Sequence, residues 1–539
     1  MKRDLARLAN ETFDLLIIGG GVTGACIARD AAMRGLSVAL VEKNDFAHAT
    51  SAHNTKLIHG GLRYLRNLEF GLVRESLKER RIWQRIAPHL VSPLPFLVPL
   101  YGGGFKARAT LAAGLTLYDL LSYDRGWLDD PAQRLPAHTW LGKDEALRLE
   151  PVLDGPGFQG AFRYYDAQMY APERLAFENI LDAAIHGAAM ANHVAAARLL
   201  LRDGKVEGAN VRDTFTGDAF DVRASLTIVA AGPWADIFLA DALHHPSSHK
   251  LLRSKGIHLL VPSIVGKEAL AVAAGGGHFF VVPWHGLSLL GTTDTAYPGA
   301  PDEVGVSEAD IAGLLAFINK YLPAAKLKRE NVIHFYAGLR PLVDDGSGST
   351  YGASRKAEMV DHAKDDGVDG MFSVIGGKWT TSRELSQKVV NAAVAKLRKP
   401  ARACATGTTL LPGGVERFSK FAAHLPPTLA NGEHLARLYG RRLNDVLAEA
   451  NNRPDILQPL TAQGDIGAQV LFAMREEAAM TLNDVLMRRT TIGQLGNPGA
   501  GTIAAIADLM AAELGWDDAR RAREIESTWP NFLTKADAA

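Results

Sequence analysis

The sequence predicts an α/β protein with a Rossmann-like domain, a β-rich second domain and a helical C-terminal domain. An apolar run of strand length at 13–18 leads through a glycine-rich turn into a helical stretch, which is the start of a βαβ unit. Apolar runs of similar length recur far along the chain and end in further glycine turns. From about residue 405 the pattern changes to Ala, Leu, Glu and Arg at helical spacing.

The first glycine turn has the spacing of a dinucleotide-binding loop. Gly19, Gly21 and Gly24 follow the G-x-G-x-x-G pattern between the run 13–18 and a predicted helix at 25–34. In such a loop the first glycine permits a tight turn, the second lets the backbone approach a pyrophosphate, and the third lets helix and strand pack closely. The amide groups at the helix N-terminus then face the phosphates. We therefore expect a dinucleotide to bind here.

An acidic residue stands where such a site needs one. Gly35 ends the predicted helix, and a second predicted strand at 37–41 leads directly to Glu42. A carboxylate about 20 residues after the glycine turn can accept hydrogen bonds from a ribose. Strand, turn, helix and acid therefore form one consistent unit.

Two later segments predict a return of the chain to the same sheet. The apolar run 224–231 ends in Gly232-Pro-Trp, and the run 372–375 ends in Gly376-Gly-Lys378 before a predicted helix at 382–397. We therefore expect a discontinuous cofactor domain within residues 13–400.

The remaining segments predict two other domains. Residues of about 90–165 and 245–350 form a predicted substrate domain, whose β-type runs include 257–261, 279–282 and 287–290. Residues 405–539 form the predicted helical domain.

Composition excludes several classes of function. The 59 basic and 59 acidic residues cancel, so no global field attracts nucleic acid. The 17 histidines show no metal-ligand cluster, and Cys26 and Cys404 are too few for a disulfide framework, which favours a reducing compartment. The N-terminus has no signal-peptide core, and no window of about 18 apolar residues occurs. We expect a protein without metal or nucleic acid, either soluble or attached to a membrane surface.

A series of short motifs resembles one family along nearly the whole chain. The motifs are Gly19-Gly-Gly-Val-Thr-Gly24, Thr55-Lys-Leu-Ile-His-Gly-Gly-Leu-Arg-Tyr64, Ala87-Pro-His-Leu90, Gly232-Pro-Trp234, Gly291-Thr-Thr-Asp294, Gly338-Leu-Arg-Pro341, Gly376-Gly-Lys378 and the segment 481–490. Their order and spacing resemble the FAD-dependent, quinone-linked (aerobic) glycerol-3-phosphate dehydrogenases. The resemblance implies an FAD-binding domain of the glutathione-reductase type, similar to that of D-amino-acid oxidase.

The resemblance implies FAD as the cofactor, and the wide separation of the segments around it agrees with a long, tightly held flavin. The implied cofactor-binding residues are Gly19, Gly21, Gly24, Glu42, Thr50, Ser51, Gly232, Asp294, Gly377 and Lys378. In this family the turn that ends in Lys378 lies near the flavin ring, where a cation stabilises negative charge on the reduced ring.

The resemblance further implies oxidation of sn-glycerol 3-phosphate to dihydroxyacetone phosphate by hydride transfer to the flavin. Arg340 and Arg355 match the family's phosphate-contacting arginines, and an arginine fork suits phosphate oxygens. Lys56 lies in the segment that the family folds beside the flavin and is a further candidate for substrate binding. A base must take the hydroxyl proton, and the candidates are His258, His59 and Lys378. Which of the three does so stays open.

Electron delivery to a membrane quinone is also implied by the resemblance. The segment 105–121 begins with Lys106 and Arg108 and carries an apolar face of Leu111, Leu115 and Tyr118. Such a helix can lie on an anionic membrane surface, although the same pattern fits a buried amphipathic helix. We expect a cytoplasmic protein peripheral to the inner face of the cytoplasmic membrane. A homodimer is compatible with the sequence, which does not determine the oligomeric state.

Three alternatives and two departures from the family pattern remain. The alternatives are a glycerol-3-phosphate oxidase that uses oxygen, an amine or hydroxy-acid oxidase of the same fold, and a flavoprotein regulator without turnover. The chain reads Thr50-Ser-Ala-His-Asn54 where the family commonly has Thr-Ser-Ser-x-Ser, and Cys26 replaces the family's usual glycine. Both departures fall near the expected cofactor and bear on substrate preference.

Overall fold

The computed structural model describes residues 1–243, 251–275, 277–343, 357–426, 429, 431–451 and 453–535. The strands are β1 Thr12–Ile18, β2 Val38–Val41, β3 Leu57–Ile58, β4 Val91–Tyr101, β5 Thr139–Gly142, β6 Phe158–Met169, β7 Ala189–Ala191, β8 Val194–Arg202, β9 Lys205–Asp213, β10 Ala219–Val229, β11 Leu251–Pro262, β12 Ala269–Ala274, β13 Gly277–Trp284, β14 Leu287–Gly291, β15 Thr295–Ala296, β16 His334–Val343, β17 Glu358–Asp361 and β18 Met371–Ile375.

Helices surround both sheets and make up most of the C-terminal region. They are α1 Leu5–Asn10, α2 Val22–Met33, α3 Phe70–Ile86, α4 Gly104–Leu121, α5 Lys143–Leu149, α6 Pro172–Ile185, α7 Ala235–Leu243, α8 Glu308–Tyr321, α9 His362–Asp365, α10 Ser382–Leu397, α11 Phe418–Ala422, α12 Gly432–Tyr439, α13 Leu443–Ala448, α14 Gly467–Glu476, α15 Leu482–Asp484, α16 Ala500–Leu514 and α17 Asp518–Glu526. A single π-helical turn, Val485–Arg489, continues directly from α15.

The first sheet has a parallel centre in the order β18-β10-β1-β2-β7. Leu15 and Ile17 of β1 face one buried cluster, whereas Leu16 and Ile18 face another. Because both faces of the strand are covered, its sequence is apolar throughout, which is typical of parallel sheets. The strands β1, β10 and β18 end side by side, so the turns that follow them meet at one edge of the sheet.

The second sheet is mixed and runs in the order β15-β11-β14-β13-β12-β4-β6-β3, with β16 beside β11 and β5 beside β6. It contains the predicted runs 257–261, 279–282 and 287–290 within β11, β13 and β14. Strands β11 and β16 pair in antiparallel register with Ser254 opposite Arg340 and His258 opposite Tyr336. This pairing places the two predicted site residues Arg340 and His258 on neighbouring strands.

The structure corrects the predicted membrane-facing side of α4. Leu115 and Tyr118 are fully buried, and Leu111 packs against the same cluster. The hydroxyl of Tyr118 also donates to Asp166 at 2.8 Å. The face proposed to enter lipid is therefore core, because α4 covers the second sheet with it. No helix within the described ranges is long and apolar enough to cross a bilayer.

Candidate active site

A cavity of about 640 Å³ lies between the parallel edge of the first sheet and the second sheet. Its lining includes the predicted residues Gly19, Gly21, Glu42, Thr50, Ser51, His59, Gly232, Arg340, Gly377 and Lys378. The structure thus brings together segments that lie more than three hundred residues apart in the chain, from Gly19 to Lys378. Gly24, Lys56, His258 and Asp294 are not in the lining, and Arg355 lies outside the described residues.

The glycine turn has the close packing that its spacing predicts. A Cβ atom on Gly24 would lie 1.9 Å from the carbonyl oxygen of Gly19, so only glycine allows α2 to approach β1. Gly19 has a φ of +113°, which favours glycine as well. The amide of Val22, in the first turn of α2, donates to the Ser51 hydroxyl at 2.8 Å. Ser51 therefore joins the glycine turn to the segment 43–51.

Glu42 lies at the end of β2 with its carboxylate at the cavity wall. The carboxylate accepts hydrogen bonds from the amides of Gly20, at 2.7 Å, and Asn44, at 2.9 Å. Burial raises the pKa of Glu42, while these two amides favour its charged form. A carboxylate held in this way is fixed in position for a ligand hydroxyl.

The other two glycine turns complete a cradle around the cavity. Gly232 and Gly377 both have positive φ, at +52° and +114°. The ammonium group of Lys378 lies 4.1 Å from the centre of the Tyr64 ring, and both residues line the cavity. Glycine backbone, a helix N-terminus, an acid and a cation suit the pyrophosphate, the ribose and the ring of a dinucleotide. The residues present therefore fit the predicted cofactor.

Arg340 is held at the cavity by Ser254 of β11 and by the loop that follows β14. Its guanidinium donates to the Ser254 hydroxyl at 3.0 Å, to the Thr293 carbonyl at 3.2 Å and to the Thr292 hydroxyl at 2.7 Å. A Cβ atom on Gly256 would lie 2.4 Å from one guanidinium nitrogen, so the glycine makes room for the group.

Asp294 takes a different place from the one predicted. We expected it to bind the cofactor, but its carboxylate accepts from the Ser254 hydroxyl at 2.7 Å and does not line the cavity. Since Ser254 also receives a hydrogen bond from Arg340, Asp294 orients a partner of that arginine.

His258 is buried directly behind the cavity wall. Its Nε2 atom lies 2.9 Å from the hydroxyl of Thr55, which does line the cavity, and its ring stacks on Tyr336 at 5.0 Å. Burial holds the pKa of His258 well below its usual value, and the positive charges of Arg340 and Lys56 lower it further. The imidazole is therefore neutral, and the same environment makes it a weaker base than an exposed histidine.

Lys56 was predicted to bind substrate, and the structure places its side chain elsewhere. The ammonium group is fully buried, donates to the Ala52 carbonyl at 2.8 Å and lies 3.8 Å from the Glu173 carboxylate. Lys56 has a φ of +61°, and this backbone conformation turns its side chain away from the cavity. Its two neighbours in the chain, Thr55 and Leu57, both line the cavity. Burial lowers the pKa of Lys56, with Glu173 opposing the shift. Its role here is to hold the turn that carries Thr55.

The departures from the family pattern are accommodated beside this turn. His53 stacks on Tyr336 with ring centres 5.4 Å apart, and the side-chain oxygen of Asn54 accepts a hydrogen bond from the Lys56 amide at 2.8 Å. Cys26 is buried in α2, with its Sγ atom 3.8 Å from the Ser382 hydroxyl. Burial raises the pKa of this thiol to about 12, so it stays protonated.

Sequence reasoning missed a contact across the mouth of the cavity. Asp302 accepts from the Lys43 ammonium at 2.8 Å and from the Trp234 indole at 2.9 Å, and both donors line the cavity. The Lys43 ammonium also lies 4.4 Å from the centre of the Trp234 ring. Trp234 belongs to a motif that the sequence singled out, but Asp302 has no local signal because its partners come from distant turns.

The chain is similar to known proteins over nearly its whole length. The model of the family "FAD dependent oxidoreductase" matches residues 14–383, and that of the "C-terminal domain of alpha-glycerophosphate oxidase" matches residues 404–521. A glycerol-3-phosphate dehydrogenase of Synechocystis sp. is 36% identical over 97% of this chain and 97% of its own length. The mitochondrial glycerol-3-phosphate dehydrogenase of Homo sapiens is 32% identical over 96% of this chain and 72% of its own length.

Solved structures show the same relationship. The glycerol-3-phosphate dehydrogenase from Bacillus halodurans, complexed with FAD, has a TM-score of 0.79 and 26% identity over 98% of this chain and 97% of its own. L-α-glycerophosphate oxidase from Mycoplasma pneumoniae, with FAD bound, has a TM-score of 0.55 and 18% identity over 75% of this chain and 99% of its own, which shows the fold alone.

Proposed function

Because the chain belongs to the FAD-dependent glycerol-3-phosphate dehydrogenase family, we propose that it oxidises sn-glycerol 3-phosphate to dihydroxyacetone phosphate. The observation that carries this proposal is that Arg340 and the glycine turn line the same cavity. The turn from Gly19 to Gly24, with Glu42, Gly232 and Gly377, would hold FAD. When bound, FAD supplies an acceptor for the hydride that leaves C2 of the substrate.

Arg340 binds the phosphate group in this proposal. Its guanidinium is held by three hydrogen bonds to β11 and to the loop that follows β14, so its planar fork is oriented before the substrate arrives. Arg355 is proposed as a second phosphate ligand on the basis of the resemblance. An amine oxidase of the same fold has no need for a phosphate site.

His258 takes the hydroxyl proton in this proposal, through the hydroxyl of Thr55. The neutral imidazole lies 2.9 Å from Thr55, and Thr55 reaches the cavity. As the substrate hydroxyl gives its proton to Thr55, the Thr55 proton passes to His258, so no charge stays on the threonine. Thr55→Val should lower kcat strongly and Thr55→Ser should restore it, whereas both variants should keep wild-type kcat if His59 or Lys378 is the base.

Anaerobic mixing tests the reaction directly. Glycerol 3-phosphate should bleach the visible flavin band of the purified holoenzyme in a single turnover, with dihydroxyacetone phosphate as the product. Glycerol and glycine are the controls, since neither carries the phosphate that Arg340 would bind. Bleaching by glycine would favour an amine oxidase, and no bleaching by any of the three would favour a flavoprotein without turnover.

A membrane quinone is the proposed electron acceptor, and an exposed apolar patch supports this choice. Leu120 near the end of α4, and Tyr123 and Trp127 just beyond that helix, are 67%, 60% and 62% exposed. The ring centres of Tyr123 and Trp127 lie 5.7 Å apart, and the guanidinium carbon of Arg74, in α3, lies 4.4 Å from the centre of the Tyr123 ring. Arg74 is itself paired with Asp124 at 2.7 Å, so the exposed aromatic and aliphatic side chains are the feature that suits a lipid surface. Membrane contact is therefore assigned to this patch and not to the buried face of α4.

Sedimentation with anionic vesicles tests this patch. Leu120→Asp with Trp127→Asp should abolish sedimentation and leave reduction by glycerol 3-phosphate unchanged. Ile185→Asp is the matched control, because Ile185 is 65% exposed on α6, outside the patch. Equal sedimentation of all three proteins would remove the patch from the proposal. Reoxidation of the reduced enzyme by oxygen as fast as by a short-chain quinone would favour the oxidase.

A further inference from the structure

The sequence motif at 481–490 has no role in the cavity as described so far, although the motif lies close to the cavity in space. The motif contains α15 and the π-helical turn, and two consecutive arginines, Arg488 and Arg489, precede its last residue. Both arginines reach the carboxylate of Asp45, which lies more than four hundred residues earlier in the chain. Asp45 belongs to the segment 43–51, and six of the nine residues of that segment line the cavity: Lys43, Asn44, His48, Ala49, Thr50 and Ser51.

Asp45 is saturated with charge-assisted hydrogen bonds. Arg489 donates to both of its oxygens, at 2.7 and 2.8 Å, and the Nε atom of Arg488 donates at 2.7 Å. The amide of Asn192 adds a fourth bond at 2.8 Å. Asp45 and Arg489 are both completely buried, so solvent does not screen this contact.

The π-helical turn explains how adjacent residues share one partner. In a regular α-helix, residues i and i+1 do not face the same side. Here the amide of Thr490 donates to the carbonyl of Val485, five residues back, and the wider turn lets Arg488 and Arg489 converge on Asp45. Such turns cost stability and occur often at functional sites.

The contact continues from the arginines to the glycine turn. The Arg489 guanidinium lies 4.1 Å from the centre of the Phe177 ring, and the ring centres of Phe177 and Phe46 lie 6.2 Å apart. A Cβ atom on Gly20 would lie 2.7 Å from the Phe46 ring, so Phe46 packs directly against the turn. The amide of Ala47 donates to the Gly20 carbonyl at 3.0 Å.

We propose that Arg488 and Arg489 are positioning residues for FAD, which hold the segment 43–51 at the cofactor from within the C-terminal helical region. The helical region is then part of the cofactor site, although none of the residues that the structure describes in it lines the cavity. This inference rests on FAD as the cofactor and not on the choice of substrate.

A metal site is the alternative use of the same cluster. Asp45, His193 and Asp484 offer ligand atoms within 4.8 Å of one another, which the sequence did not indicate. The two arginines already neutralise both carboxylates, since Arg488 also donates to Asp484 at 2.8 Å. A cation there would face two guanidinium groups at close range, which opposes its binding.

The rate of FAD release from the full-length holoenzyme tests the proposal. Release is followed by the rise of flavin fluorescence after dilution, without substrate, so the outcome does not depend on the proposed reaction. Arg489→Lys loses the fork that spans the Asp45 carboxylate, and Arg488→Lys loses the bridge between Asp45 and Asp484. We expect FAD release about tenfold faster or more, as the loss of a charge-assisted bond predicts. If Arg489→Lys does not fold, Arg488→Lys carries the test.

Arg34→Lys is the matched control. Arg34 is buried and bonds Asp30 through both oxygens, but it lies at the end of α2 away from the glycine turn. We expect it to lose thermal stability without a change in FAD release beyond about twofold. The proposal would be overturned if all three variants released FAD at the wild-type rate. It would also be overturned if Arg34→Lys released FAD faster in proportion to its loss of stability, as the other two variants do. A stoichiometric metal in the holoenzyme that is lost in His193→Ala would overturn it as well.

Discussion

Replacement of Arg340 by alanine tests the phosphate site most directly. The backbone of β16 should stay paired with β11, because the two strands pair along the whole length of β16, from His334 to Val343. The variant removes a cation that three partners, at 2.7 to 3.2 Å, hold at the cavity. A hydrogen bond to a charged group contributes about 1.5–3 kcal/mol. The predicted loss in kcat/KM is therefore about 10- to 150-fold.

The assay measures kcat/KM for glycerol 3-phosphate with an artificial electron acceptor, together with the flavin content of each protein. Arg340→Lys should recover only part of the loss, because a point charge does not reproduce the fork. Gly256→Ala should resemble Arg340→Ala, since its Cβ atom would displace the guanidinium. Arg163→Ala is the control, because Arg163 lies in the same sheet and pairs with Glu268 outside the cavity. Wild-type kinetics of Arg340→Ala, or an equal loss in Arg163→Ala, would refute the reasoning.

Three further predictions concern the base, the cavity mouth and the core. His258→Asn should lower kcat by about 10²–10⁴-fold with unchanged flavin content. Because burial holds the pKa of His258 well below the usual value, wild-type kcat should not fall as pH drops through about 6.5, where an unperturbed histidine gains its proton. A fall in kcat centred at that pH would contradict the assignment of His258 as the base. Asp302→Asn should speed FAD release by up to about fivefold, since exposed ion pairs contribute about 0–1 kcal/mol. An unchanged release rate would mean that the contact of Asp302 with Lys43 and Trp234 does not help to retain FAD. Leu115→Ala should lower the free energy of unfolding by about 2–5 kcal/mol in denaturant titration, whereas a change below about 0.5 kcal/mol is typical of a surface position.

The local elements were predictable because their signals are local. The turn from Gly19 to Gly24 encodes a backbone geometry that only glycine permits, and the 1.9 Å approach at Gly24 is the reason for its spacing. The apolar runs in β1, β10 and β18 reflect a sheet that is covered on both faces. The observed helix α10, Ser382–Leu397, begins and ends where the sequence predicts.

The direction of single side chains was not predictable from spacing. Lys56 and Thr55 are adjacent in a motif, but only Thr55 reaches the cavity, because the positive φ of Lys56 turns its side chain into the core. On α4 the pattern was compatible with lipid or core, and the choice depended on whether a sheet lay beneath Leu115. Such outcomes depend on packing between elements that are distant in the chain.

By itself, the sequence determined the βαβ unit, its glycine turn and the family to which the chain is similar, because each of these is written in short motifs and their order. Only the tertiary structure decided that Asp302 spans the cavity mouth and that Arg488 and Arg489 meet Asp45. Neither contact has a sequence signal, since the partners come from turns and helices far apart in the chain. For Asp45, moreover, a buried charge is recognisable only once its counter-ion is in place.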